Sequence, residues 1–226
     1  MIIINDSPYD ASYNSFASSI NDSRIHYHVN DTNKGVNYSR NFGLDKASAD
    51  STWTVFLDDD DYLAPDALAT LYELILTHPE KKWFVTNRAL TDGAPLTKYP
   101  KKDTEYSYIW DDLLLKRCRG DTTDCIETKL LTQHNIRYST SIKQAEEWIF
   151  FYQISLLEKF YYHDHNSTIT EGYDIHHGLN FRKRSREEQV KTLLKFIYEG
   201  QQLHLLQHPT FILYLCVRFV RLCFKS

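Results

Sequence analysis

Four cysteines, Cys118, Cys125, Cys216 and Cys223, are all that the 226-residue sequence holds, and none forms a Cys-x-x-Cys pair. That absence excludes a zinc knuckle and a thioredoxin-type redox motif. No basic stretch followed by an apolar segment and a cleavage site opens the sequence, so no secretory signal is read. Free thiols then predict a reducing, cytoplasmic setting. No run of about twenty apolar residues is present, which argues against a membrane-spanning helix. An excess of basic charge is also missing. Lys and Arg total 26 against 30 Asp and Glu, a net charge of -4, so the chain lacks the global positive field that nucleic-acid binding uses. Glycine is scarce at 7, and there is neither an internal repeat nor a low-complexity linker. What remains is an ordinary globular composition, 42% hydrophobic and 25% charged, with 16 tyrosines. The length fits one large domain or one and a half small ones.

Strand and helix signals alternate along the first hundred residues. The β-branched run MIIIN predicts a buried parallel strand, and NDSPYD is a loop signal. A polar helix is read from Asp10 to Ile20, then a strand in RIHYHV. NYSRNFGLDKASAD reads as a helix, with Val36, Ser39, Gly43 and Ala47 near one face. TWTVFL is a third strand. Pro65 opens a helix to Thr77 along an apolar stripe of Leu68, Leu71, Leu74 and Ile75, and KWFVTN is a fourth strand. This order predicts an α/β fold with a mostly parallel sheet flanked by helices. Ligands of such sheets bind at the carboxyl ends of the strands, where the acid-rich loops after Asn5 and Leu57 fall. Beyond Tyr99 the alternation decays. Helices are read from Ile126 to His134 and from Ala145 to Leu157, and everything from Arg186 onward reads as helical. The predicted division is a domain over 1–185 and a helical extension over 186–226.

Asp58, Asp59, Asp60 and Asp61 stand together directly after the third strand. Four like charges repel unless they are solvated or joined by a cation. On an extended strand end side chains alternate, which predicts Asp58 and Asp60 on one side and Asp59 and Asp61 on the other. One pair could share Mn2+ or Mg2+, whose hard-oxygen preference carboxylates satisfy. The competing reading is that Asp61 and Asp66 only favour the positive end of the next helix.

At this point the sequence resembles a known family. GVNYSRNFGLDKASADSTWTVFLDDDDYLAPDAL is similar to the central segment of family 2 glycosyltransferases of the GT-A fold. The family pattern runs A-R-N-x-G, then F-L-D-x-D-D, then P-x-A-L. Here Ser39-Arg40-Asn41-Phe42-Gly43, Phe56-Leu57-Asp58-Asp59-Asp60-Asp61 and Pro65-Asp66-Ala67-Leu68 stand in that order. IIINDSPYD resembles the family's earlier I-I-V-D-D-G-S-x-D, and QAEEWIFFYQISL its later E-D-W motif. The resemblance runs from Ile2 to about Leu157. It implies a GT-A glycosyltransferase, of hexosyltransferase type, taking a sugar from a nucleoside-diphosphate donor. Asp58 and Asp60 would hold Mn2+ or Mg2+, Asp59 would meet the ribose, Asp6 the base, and Arg40 the donor side. Glu147, or its neighbour Glu146, would be the base for an inverting transfer. The acceptor would be a glycan or lipid-linked glycan, as in bacterial surface polysaccharide or lipopolysaccharide synthesis.

The sequence departs from the pattern in three places. The family's preceding strand, ending P-x-Y-N, and its helix are absent from this sequence. That predicts an open flank on the first strand and an incomplete base site, and it keeps a non-catalytic nucleotide- or glycan-binding remnant as the alternative. NDSPYD lacks the family's glycine, and Glu146-Glu147 replaces Glu-Asp. Several further residues carry two readings each. His176 and His177 could approach the diphosphate or metal, or form a surface loop; His177 is taken as the candidate. Arg182, Lys183, Arg184 and Arg186 could meet a diphosphate or lipid headgroup, or be solvated. Gly120 and Asp121 could contact the acceptor. Trp110 and Trp148 could stack on sugars, with core packing the favoured role for each. In the last helix, Arg218, Arg221 and Lys225 lie near one face beside apolar residues, which predicts either a peripheral membrane contact or a docking helix.

Overall fold

The structure is a computed structural model that describes all residues except 119, 142–146, 172–184 and 225–226. Strand β1 (Ile2–Asn5) is followed by helix α1 (Ser12–Ser19) and strand β2 (His26–Val29), which pairs with β1 in parallel. Helix α2 (Val36–Asp45) returns the chain to strand β3 (Trp53–Val55). After β3 come β4 (Asp61–Leu63), α3 (Ala67–Thr77), β5 (Trp83–Leu90) and β6 (Thr104–Tyr106). A π-helical segment (Tyr108–Leu114) leads to β7 (Thr122–Glu127) and α4 (Thr128–Gln133). Helix α5 (Glu147–Ser155) and the 11-residue β8 (Phe160–Thr170) follow. Helix α6 (Arg186–Gln202), a 3-10 turn (Leu205–Gln207) and α7 (Pro209–Phe224) close the chain.

The α/β class is as the alternation predicts, but the sheet is mixed. β1–β2 and β5–β8 are parallel. The β3–β7, β5–β7, β4–β8 and β6–β8 pairings are antiparallel. β7 thus runs against both of its neighbours, β3 and β5, and β4 and β6 both run against β8. The central order is β3-β7-β5-β8-β4, with β6 on β8. Among the described residues β1 pairs only with β2, and β3 only with β7. Ile2, Ile3 and Ile4 are accordingly half-buried, not the fully buried strand their composition suggests. The helix expected from Ile126 starts two residues later, because Ile126 and Glu127 complete β7.

β5 explains why helices cover both faces. Its side chains alternate, so Trp83 and Val85 enter one core with Ile126, Phe150 and Phe160, while Phe84 joins Leu71, Leu74 and Cys125 beneath α3. A further core unites Ile109, Trp148 and Tyr152 with Phe196, Phe211 and Leu215, so α6 and α7 pack onto α5 and the π-helical segment. Ser185 and Glu188 form a reciprocal capping box that starts α6. Gly200 permits the α6–α7 approach, since a Cβ there would lie 2.4 Å from the Phe211 ring. Gly120 is required twice over. Its φ is +95°, and a Cβ would sit 1.9 Å from the Leu96 carbonyl oxygen. All four cysteines are free, and among the described residues no helix is long and apolar enough to cross a membrane.

Candidate active site

The site forms where α2, the β3–β4 turn, β5 and the start of α5 meet. Its frame is the segment around Arg40. Asn41 donates to the Tyr138 carbonyl at 2.9 Å and accepts from the Tyr138 amide at 2.8 Å. Asn37 donates to the Ser139 carbonyl at 2.6 Å. A Cβ on Gly43 would already touch Ile4 at 3.9 Å, so the helix lies close to β1. These contacts fix α2 against two distant segments and aim Arg40 inward.

Arg40 is 14% exposed and forked between two acids. One terminal nitrogen lies 2.7 Å from Asp58 and the other 2.5 Å from Glu147. Its guanidinium also lies over the Tyr138 ring, 5.2 Å from the centroid. Tyr138 is itself stacked on Phe150 at 3.9 Å. Burial works to lower the Arg40 pKa, but Tyr138, Glu147 and Asp58 outweigh it and hold the group firmly charged.

The aspartates do not alternate as an extended strand would make them. The Asp61 amide donates to the Asp58 carbonyl at 3.2 Å, closing a turn. The turn gathers Asp58, Asp60 and Asp61, with one carboxylate oxygen of each within 4.8 Å of the others, and leaves Asp59 exposed. Asp61 therefore joins the Asp58 side, contrary to the expected pairing with Asp59. The Asp60 pKa is raised, by burial first and then by repulsion from Asp61.

A residue that the motifs did not reveal completes the cluster. Arg88, on β5, lies 2.5 Å from Asp61, 3.8 Å from Asp58 and 3.9 Å from Asp60. Its Nε donates to the Thr170 hydroxyl at 2.7 Å, and Thr170 donates to Asp61 at 2.7 Å. One signal for it was available: an arginine inside a strand whose other residues are nearly all buried needs a partner. Asp121 lies near the same charges and its pKa is raised, chiefly by burial. The carboxylates of Asp58, Asp60, Asp61 and Glu147 outnumber the guanidinium groups of Arg40 and Arg88, which leaves a negative balance. Hard carboxylate oxygens with that residual charge suit Mn2+ or Mg2+. Asp58, Asp60 and Asp61 together form a group that could hold such an ion.

The other expected residues are placed as follows. Asp6 accepts from Asn30 at 2.7 Å and from the amides of Lys34 at 2.8 Å and Gly35 at 2.7 Å. It thus organises the loop before α2 and lines an open cleft of about 560 Å³ with Tyr9 and Asn33. Trp148 is buried against Phe196, Phe211 and Tyr214, as core packing predicts. Trp110 is not core; it is half-exposed on the π-helical segment. Glu146, His176, His177, Arg182, Lys183, Arg184 and Lys225 lie outside the described residues.

A family model described as "Glycosyl transferase family 2" matches residues 1–136. That is more than half of the chain, and the chain belongs to this family. Solved structures agree on the fold. "Crystal structure of S. aureus TarS 1-349 in complex with UDP-GlcNAc" gives a TM-score of 0.64 at 16% identity, covering 87% of this chain and 57% of that one. "Crystal structure of S. aureus TarS" gives 0.62 at 17% identity, covering 87% and 34%. TarS 1-349 in complex with UDP gives 0.59 at 18% identity, covering 75% and 50%. The chain thus spans at most a little over half the length of these structures. No curated protein matches it.

Proposed function

We propose that the chain transfers a sugar from a nucleoside-diphosphate donor to the hydroxyl of a glycan or lipid-linked glycan, with inversion. The observation that carries this reading is the fork of Arg40. It brings Glu147 and Asp58, far apart in sequence, within reach of one guanidinium. This supports reading Glu147 as the base and Asp58 as a metal-holding carboxylate, both anchored by the arginine of the donor side. Glu147 is 53% exposed, so an acceptor hydroxyl can approach it. It takes the hydroxyl proton as the acceptor oxygen attacks the anomeric carbon and the bond to the diphosphate breaks. Glu146 is the alternative base. Asp58 and Asp60 would hold Mn2+ or Mg2+, which when bound neutralises charge gathering on the leaving diphosphate. Asp59 is open to the ribose, and His177 is kept as a candidate for the diphosphate.

Asp6 and its cleft support a base site at the end of β1. The matched TarS structures are titled as holding UDP and UDP-GlcNAc, which makes uridine donors the first to test. The setting we propose is bacterial surface-polysaccharide assembly. The outward face of α7, with Ile212, Leu213, Phe219, Val220 and Phe224 exposed, supports peripheral contact with a membrane carrying the acceptor. A second reading is a non-catalytic nucleotide- or glycan-binding remnant of the same fold.

Turnover separates the two readings. UDP-sugar consumption with a mixed glycan acceptor should depend on Glu147, and Glu147→Gln should lower kcat by about 100-fold to 10,000-fold while donor affinity stays. Asp60→Asn should remove the metal dependence of UDP binding. Binding without any turnover would favour the remnant. Full activity in both Glu147→Gln and Glu146→Gln would place the base elsewhere.

A further inference from the structure

We infer that Arg88 is a resident counter-cation of the aspartate turn, and that Asp61 is its clamp and not a metal ligand. The inference rests on the reading of Asp58 and Asp60 as the metal pair. Arg88, Thr170 and Asp61 close a ring of hydrogen bonds. Arg88 Nη2 reaches one Asp61 oxygen at 2.5 Å, Arg88 Nε donates to Thr170 at 2.7 Å, and Thr170 donates to the other Asp61 oxygen at 2.7 Å. Both oxygens of Asp61 are taken, and its side chain is 3% exposed. Asp58 and Asp60 are open by comparison, at 35% and 66%.

The contacts of Arg88 to Asp58 and Asp60, at 3.8 and 3.9 Å, are too long for hydrogen bonds but short for charges. Arg88 therefore relieves the repulsion that the turn creates. For the same reason it opposes a second cation on the same two carboxylates. Even with water-like screening, a divalent ion beside a fixed positive charge a few ångströms away loses on the order of tenfold in affinity. The metal alone should bind weakly. A diphosphate arriving with it adds negative charge, which offsets the opposition from Arg88. Metal and nucleotide then bind together more tightly than either does alone, with Arg88 as the positioning residue that couples them.

The test titrates MnCl2 alone, by calorimetry, into the full chain and its variants, with melting temperatures measured with and without Mn2+. Arg88→Gln should bind Mn2+ at least tenfold more tightly than wild type. It should melt lower without the metal and show the larger rise with it. The double variant Arg88→Gln/Asp61→Asn removes the pair together, which spares the fold the cost of an unpaired buried charge. Its Mn2+ affinity should stay within about threefold of wild type, since one opposing and one attracting charge are lost together. A tenfold loss in the double variant would make Asp61 a ligand and overturn the inference. So would unchanged or weaker Mn2+ binding by folded Arg88→Gln. If those failures occur while Asp60→Asn still abolishes Mn2+ binding, the metal reading of Asp58 and Asp60 survives alone. No Mn2+ binding by any variant or by wild type, with or without UDP, overturns both.

Discussion

Removing everything after Gln207 deletes α7 and asks whether this helix belongs to the fold or only to a membrane surface. Its inward face holds Phe211, Tyr214, Leu215 and Leu222, all buried, with Phe211 fully so. Phe211 lies against Trp148 at 5.7 Å and meets Tyr152 edge-on at 5.1 Å. The Tyr152 hydroxyl pairs with Thr210 at 2.7 Å. Burying four such side chains stabilises by roughly 1.5–3 kcal/mol each, so about 6–12 kcal/mol leaves with the helix. A domain has about 5–15 kcal/mol in all. The truncated protein should therefore unfold or lose a cooperative melt. Phe211→Ala is the milder form and should cost about 3–5 kcal/mol, read as a lower denaturant midpoint with unchanged slope. Arg218 also belongs to this side: it donates to the Tyr214 hydroxyl at 2.7 Å and lies over the Phe196 ring. The outward face separates cleanly. Phe219→Ser/Phe224→Ser should leave the melt unchanged and abolish co-sedimentation with anionic vesicles. A truncated protein that melts as the full chain does would refute the packing argument. Vesicle binding that persists in the double serine variant would refute the anchor.

Two further outcomes test the frame of the site. Asn41→Ala removes both hydrogen bonds to the Tyr138 backbone and should cost about 1–3 kcal/mol, with donor affinity falling as Arg40 loosens, checked by denaturation and UDP titration. Asp124, held by Trp83 and Thr122 but buried, has its pKa pushed up from 3.8 to about 6, so the native state keeps its proton longer than the unfolded chain does. Its effect on stability is absent below about pH 4 and grows to a cost of about 3 kcal/mol as pH rises through 6; Asp124→Asn should flatten that fall in a pH series of urea midpoints, and an unchanged slope would refute it.

Most of the legible parts of the fold had an apolar rhythm. β1, β2, β3 and β5 and helices α2 and α3 carry β-branched runs or an apolar stripe and were read near their positions, while α1 was read as a polar helix. β7 and β8 carry no such rhythm. β8 buries Ser167, Thr168 and Thr170, and β7 buries Thr123 and Asp124. Their hydroxyls satisfy one another across the sheet, as in the 2.7 Å Thr123–Thr168 bond. A strand buried by paired polar groups looks like a loop to any hydropathy pattern. β4 was hidden for another reason, since it begins inside the aspartate run.

That blind spot also hid half of the site. Asp58, Asp60, Arg40 and Glu147 are legible because their motifs are local in sequence. Arg88 becomes meaningful only through β8, which lies between β5 and β4 and pairs Thr168 with Arg88 and Thr170 with Asp61. Once that strand is in place, the four aspartates no longer form one cluster. Asp61 is closed off by Arg88 and Thr170. Asp58 is shared between Arg40 and a longer contact to Arg88. Asp59 faces water. Among the described residues, Asp60 has only a 3.9 Å contact to a cation, and it has the most exposed carboxylate of the gathered three. Repulsion across the turn is thus relieved unevenly, and Asp60 keeps the greatest share of uncompensated charge. Under the proposed metal reading, a divalent ion entering from solvent would meet Asp60 first and Asp58 next, the two positions that the Asp-x-Asp spacing singles out.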